Sequence, residues 1–117
     1  MAESRIKDLR AEALAYHKEK PGKLEIRVTT KTVDRDDLTL AYSPGVAEPV
    51  KEVAADIANL DVYTNHANAV CIVSNGTAIL GLGNLGAAAS MPVMEGKSLL
   101  FKAFGDVDAY PICVNTL

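Results

Sequence analysis

A chain of 117 residues, 49 % apolar and 23 % charged, has the composition of a folded globular domain and room for one such domain, which excludes a disordered segment and a multi-domain assembly. Its 12 basic residues against 15 acidic ones leave a net charge of −3, so no long-range attraction for nucleic acid or an anionic membrane is expected. The charged start, Met1-Ala2-Glu3-Ser4-Arg5, lacks the apolar core of a signal peptide, and the longest apolar run, Ala69 to Val73, is far short of the ~20 residues that span a bilayer; a cytoplasmic protein outside the membrane is expected.

From Glu3 to Lys20, Ile6, Leu9, Ala13, Leu14 and Tyr16 recur near helical spacing, and Pro21-Gly22 stops the segment, which predicts an amphipathic first helix. Leu24 to Thr29 alternates apolar with polar, the pattern of a short extended segment with one wet face. Asp34-Arg35-Asp36-Asp37 offers carboxylates to free amides and so caps a short helical turn. After Tyr42-Ser43-Pro44-Gly45, the spacing of Val46, Val50, Val53, Ala54 and Ile57 predicts a helix over 46–58, with Pro49 tolerated in its first turn.

Ala69 to Ser74 reads as a strand that meets the turn Asn75-Gly76, with Ala78-Ile79-Leu80 as a hairpin partner. Val93 to Phe104 reads as a helix carrying Lys97, and Val107 to Val114 as a strand bent or held at an edge by Pro111. Cys71 and Cys113, each inside a β-branched run, read as small buried thiols of a reducing compartment. Interleaved strands and helices predict an α/β class, a three-layer α/β/α domain with a small, mostly parallel sheet over residues 1–117.

Gly81-Leu82-Gly83-Asn84-Leu85-Gly86 fits G-x-G-x-x-G, in which glycines let the backbone approach a pyrophosphate at a helix amino terminus. The fingerprint also needs an acidic residue at the end of the second strand, whereas Asp106 and Asp108 lie at the beginning of the last strand here. A structural glycine turn is the plainer reading, with direct dinucleotide binding as its rival.

Two side chains stand out as candidates for chemistry. Tyr42 sits on the rigid turn before a helix start, and Lys97 lies among Val93, Met94, Leu99, Leu100 and Phe101, where desolvation of its ammonium would draw its pKa downward. A tyrosine at a core edge and a solvated helix lysine are the plainer readings of the same two residues. His17 and His66 read as surface residues with no partner at metal-ligand spacing, and neither Asp36-Asp37 nor Asp106 and Asp108 reads as a metal site.

Three blocks, Leu40 to Pro49 (L-A-Y-S-P-G-V-A-E-P), Ser74 to Gly86 (S-N-G-T-A-I-L-G-L-G-N-L-G) and Pro92 to Lys97 (P-V-M-E-G-K), together resemble the short bacterial and archaeal malic enzymes. The resemblance runs from Ala13 to the last strand. It implies an NAD- or NADP-dependent malate dehydrogenase of the oxaloacetate-decarboxylating kind, turning L-malate into pyruvate and CO2 with Mg or Mn. It further implies that Tyr42 is the acid and Lys97 the base, that no residue of this chain is assigned to cofactor or metal, and that the acidic metal ligands and the dinucleotide-binding domain lie beyond Leu117.

A homodimer or higher homo-oligomer is expected, and the isolated chain is expected to be inactive. Larger relatives place an arginine for a malate carboxylate where this sequence has Ala78. The competing functions are a free-standing dinucleotide-binding module using Gly81, Gly83 and Gly86, and a non-enzymatic oligomerisation domain built on the first helix.

Overall fold

The computed structural model describes the backbone of residues 2–116 and the side chains of residues 8–116. Its contacts divide the chain into two compact units, Met1–Glu25 with Cys71–Leu117, and Ile26–Val70.

The first unit is organised by a strand, a long crossover helix and a second strand. β1 (Ala69–Ser74) and β2 (Asp108–Cys113) are neighbours in a small parallel sheet, with Val114 N–H donating to the Ser74 carbonyl at 2.9 Å. The helix between them, numbered α5 below, spans Ala87–Gly105 and packs on β2. It buries Ser90, Met94 and Ser98, a spacing of four that keeps them on one face.

Serine is small enough to let the helix pack closely on β2, and the hydroxyls are satisfied within the helix: Ser90 Oγ donates to the Ala87 carbonyl at 2.7 Å and Ser98 Oγ to the Met94 carbonyl at 3.2 Å. The two buried hydroxyls therefore carry no unmet desolvation cost. Ser90 Oγ also lies 3.2 Å from Cys113 Sγ.

α5 ends where Asp106 turns left-handed, at φ 51°, and the Asp106 and Val107 amides bond the Lys102 and Phe101 carbonyls. Lys102 sits between Asp106 at 2.7 Å and Asp108 at 3.0 Å. The hydrogen bond to Asp106, then that to Asp108, raises the Lys102 pKa above its ordinary 10.5. Because the folded value is the higher one, the contribution is whole below pH 10.5 and is lost as pH rises through the folded pKa. Lys102→Met should therefore flatten the alkaline limb of a plot of melting temperature against pH while leaving the neutral region little changed, since the group is exposed.

Before α5 the chain departs from expectation. Ala78 to Leu80 does not return beside β1; residues 77–85 instead close on themselves, with Ile79 buried and its amide donating to the Gly83 carbonyl at 2.9 Å. The same loop closes at its base, where the Leu85 and Gly86 amides both donate to the Gly76 carbonyl. The helix then begins at Ala87, six residues ahead of the expected start, because Ala87 to Ser90 are small and continue the same helix.

The first helix, α1 (Ala2–Glu19), matches expectation in extent and stops before Pro21-Gly22. Its stripe is uncovered among the described residues: Leu9, Leu14 and Tyr16 are exposed, and the Ile6 side chain lies outside the described set. Cys71 is exposed on β1 and Cys113 half-buried, both unpaired, so the expectation of buried thiols fails for Cys71. Ile72 and Ser74 take the more covered side of the strand and leave Cys71 and Val73 on the other.

The second unit is helical. Leu24 to Thr29 forms no ladder, and Ile26 is 85 % exposed, so the covered face expected from its alternation is absent. α2 (Arg35–Ala41) begins in a reciprocal box: the Asp34 side chain accepts from the Asp37 amide at 2.9 Å, and the Asp37 carboxylate accepts from the Asp34 amide. α3 (Ala47–Ala55) carries Pro49 in its first turn and ends three residues short of expectation, at an extended Asp56.

Beyond it lies α4 (Asn59–Tyr63), too short to leave a periodic signature in sequence. α3 and α4 pack together around an apolar groove of about 280 Å³ lined by Val46, Pro49, Val50, Val53, Leu60 and Tyr63. His66 is exposed as expected, but its Nδ1 lies 2.6 Å from Asp61 Oδ1, a partner not read from sequence. Among the described residues no helix is long and apolar enough to cross a membrane.

Candidate active site

Tyr42 is the residue on which α2 ends. Its amide still donates to the Leu38 carbonyl at 2.9 Å, while its own φ and ψ of −132° and −99° have left the helix. The break follows from Pro44, which has no amide to extend a ladder and disfavours helical backbone at Ser43.

The chain then doubles back tightly. Gly45 N–H donates to the Thr39 carbonyl at 2.9 Å, and a Cβ on Gly45 would stand 2.6 Å from that oxygen and 2.8 Å from the Leu40 carbonyl. Only glycine allows this approach. With the Tyr42 carbonyl accepting from Val46 at 2.8 Å, the corner is held on both sides, and the phenol projects from it 73 % exposed.

Lys97 projects from the middle of α5, beside a shallow apolar wall of Leu100, Phe101, Phe104 and Gly105 that encloses about 430 Å³. Leu100, Phe101 and Phe104 lie three, four and seven positions after Lys97 and so share its side of the helix. Phe104 is 85 % exposed.

The burial expected of Lys97 is not supplied by this fold. Each helical residue turns about 100° from the last, so Met94 points into the packing with β2 while Lys97, three positions on, emerges from the flank and is exposed. Among the described residues it has no ion-pair partner. Its apolar neighbours line one side of it as an open wall and do not cover the amine.

The glycine motif folds into the closed loop described above, followed directly by a helix. Gly76, outside the motif, is the residue under the tightest steric demand: a Cβ there would overlap the Gly86 carbonyl group and lie 2.8 Å from the Ala87 nitrogen. A Cβ on Gly81, Gly83 or Gly86 would meet nothing within 4 Å. Asp106 and Asp108 belong to the end of α5 and the start of β2, where they hold Lys102, rather than to the end of a second strand as the dinucleotide fingerprint requires. No group of three or more His, Cys, Asp or Glu side chains that could hold a metal ion occurs among the described residues.

The family model described as malic enzyme, N-terminal domain, matches residues 19–117. This chain belongs to the malic enzyme family. It is 58 % identical over 106 residues to a probable NADP-dependent malic enzyme of Rickettsia prowazekii, a match that covers 90 % of this chain and 14 % of that protein. It is 54 % identical over 108 residues to a bifunctional malic/malolactic enzyme of Bacillus subtilis, covering 92 % of this chain and 26 % of that one. Among solved structures, a malic enzyme from Pyrococcus horikoshii is similar with a TM-score of 0.87 at 50 % identity, covering 92 % of this chain and 26 % of that chain.

The chain thus spans between about a seventh and a quarter of the length of these malic enzymes. All three sequence blocks, with Tyr42, the glycine loop and Lys97, fall inside the matched residues. The α/β class with a small parallel sheet agrees with the solved malic enzyme structures.

Proposed function

We propose that this chain is the substrate-side part of an NAD- or NADP-dependent malic enzyme that converts L-malate to pyruvate and CO2, with Lys97 as base and Tyr42 as acid. The observation that carries the reading is the family match over residues 19–117, which takes in both side chains within their motif blocks.

The chemistry asks for two proton-transfer groups of different character. As hydride leaves C2 of malate, the C2 hydroxyl proton passes to an amine, and Lys97 Nζ is the amine available. The C3–C4 bond of the resulting 2-oxo acid then breaks; CO2 departs and the electron pair remains as an enolate. The Tyr42 hydroxyl gives its proton to C3 of that enolate, which yields pyruvate.

An amine acts as base near neutral pH only in its uncharged form, and desolvation favours that form. Since Lys97 is exposed in this chain, the desolvating cover comes from further polypeptide or a second copy closing over the Leu100, Phe101 and Phe104 wall. No group of three or more His, Cys, Asp or Glu side chains among the described residues fits a divalent cation; we assign Mg or Mn, and the nicotinamide coenzyme that would accept the hydride, to residues outside this chain.

The unpaired cysteines and the net charge of −3 support a cytoplasmic setting without nucleic-acid or membrane partners. The uncovered stripe of α1 supports a homo-oligomer. Incubating the 117-residue chain with malate, Mn and either coenzyme should give no reduced nicotinamide, whereas a polypeptide of the length of its relatives that includes it should give turnover. Clear turnover by the 117 residues alone would refute this division of labour.

A further inference from the structure

We infer that Lys23 and Glu95 form a two-point clamp that splints the turn of α5 from which Lys97 projects, so that Glu95 is a positioning residue for Lys97; the functional side of this rests on the reading of Lys97 as the base.

The turn before Lys97 is locally the weakest stretch of its helix. Pro92 has no amide, which deprives the Ala88 carbonyl of its usual helical donor. Gly96, adjacent to Lys97, loses more backbone freedom on ordering than any other residue would. No close contact demands a glycine there, since a Cβ at Gly96 would meet nothing within 4 Å. Two helix-weakening residues within five positions invite local opening.

The clamp lies across that stretch. Gly22, at φ +81°, turns the chain left-handed after Pro21 and delivers the next residue to the side of α5. Lys23 then contributes both of its donors: its backbone N–H to Glu95 Oε2 at 3.1 Å and its Nζ to the Pro92 carbonyl at 3.3 Å. Lys23 and Glu95 are both half-buried, and the bond to a carboxylate is of the stronger, charge-assisted kind. One residue thereby pins Pro92 and Glu95 together, just before Gly96.

Glu95 and Lys97 lie two positions apart, about 200° around the helix, so Glu95 acts on Lys97 through the backbone and not by contact. The three faces of this turn are then distinct. β2 supports the face of Met94, Lys23 grips the face of Pro92 and Glu95, and Lys97 occupies the one left open.

The test is residue-resolved amide hydrogen exchange on the 117-residue chain. Glu95→Ala should speed exchange at Gly96, Lys97 and Ser98 by about tenfold beyond any change in global stability, as expected for losing a hydrogen bond to a charged acceptor. Intrinsic helix propensity cannot produce that result, because alanine is the better helix former. Glu95→Gln, which keeps an acceptor oxygen, should restore slow exchange, and Gly96→Ala added to Glu95→Ala should recover part of it by stiffening the same turn.

If Glu95→Ala does not fold, Lys23→Met removes only the ammonium bond to Pro92 and should give a smaller increase at the same amides. Unchanged exchange at 96–98 in the folded variant, with faster exchange at Lys23 alone, would overturn the proposal and leave only a tether of the N-terminal segment. None of these readouts needs malate turnover. Full activity of a Lys97 variant would therefore defeat the proposed function without touching the clamp.

Discussion

Gly76→Ala is expected to cost more than about 4 kcal/mol and to leave the chain largely unfolded at room temperature. Two independent penalties fall on one methyl group. The residue sits at φ +71°, where an L side chain is strained, and its Cβ would be driven into the Gly86 carbonyl and to 2.8 Å from the Ala87 nitrogen. Both obstacles are backbone, so no rotamer change relieves them.

Moving Gly86 away breaks the bonds that its amide and that of Leu85 make to the Gly76 carbonyl, opening the loop that leads into α5. Urea unfolding read by circular dichroism measures the loss. Gly81→Ala is the control: it has a free site and ordinary φ, and should be close to neutral.

In a polypeptide of the length of the malic enzyme relatives, Lys97→Ala should lower malate oxidation by about 10³-fold, within the range that a positioned general base contributes. Tyr42→Phe keeps the ring and removes only the proton donor. It should lower overall turnover by about 10²-fold and, more tellingly, suppress deuterium exchange into the methyl group of pyruvate, which reports enolate protonation directly.

Coenzyme reduction assayed beside that exchange separates the two roles. Loss of oxidation with exchange preserved in the lysine variant, and slowed exchange in the tyrosine variant, is the expected pair. Equal loss of both reactions in both variants would instead indicate a shared structural role.

Features governed by local chemistry were legible in the sequence. α1 ends where Pro21-Gly22 stops it, the Asp34 to Asp37 cap starts α2, and β1 spans Ala69 to Ser74 as its β-branched run suggested. Features governed by what meets what in space were not. Leu24 to Thr29 has the alternation of a strand, but a strand needs a partner, and none pairs with it among the described residues.

Asn75-Gly76 has the composition of a hairpin turn. Its glycine is required instead by the crossing of its backbone with Gly86 ten residues on, a contact that no local pattern encodes. Ser90 and Ser98 look like surface residues until their hydroxyls are seen bonded to their own helix, freeing a narrow face for β2.

The candidate site divides along the same line. The turn that presents Tyr42 was legible through the residues that follow it, Ser43, Pro44 and Gly45, each of which constrains backbone in a known way. Lys97 stands among apolar residues in sequence, but Met94 is turned into the packing with β2 while Leu100 and Phe101 form an open wall beside the amine and do not cover it, so the burial expected of it is absent. Lys23 and Glu95 gave no signal, because a lysine after Pro-Gly and a glutamate in a helix are ordinary on their own and become a clamp only when 72 residues of separation are closed by folding.

The measurement that most directly tests the central claim is a crystal structure of the full-length enzyme polypeptide with oxalate, a flat dicarboxylate resembling the enolate, soaked or co-crystallised with Mn and coenzyme. The Tyr42 hydroxyl and the Lys97 amine are predicted to reach hydrogen-bonding distance of the same bound dicarboxylate from opposite sides. Finding the dicarboxylate elsewhere, with both side chains in open solvent, would contradict it.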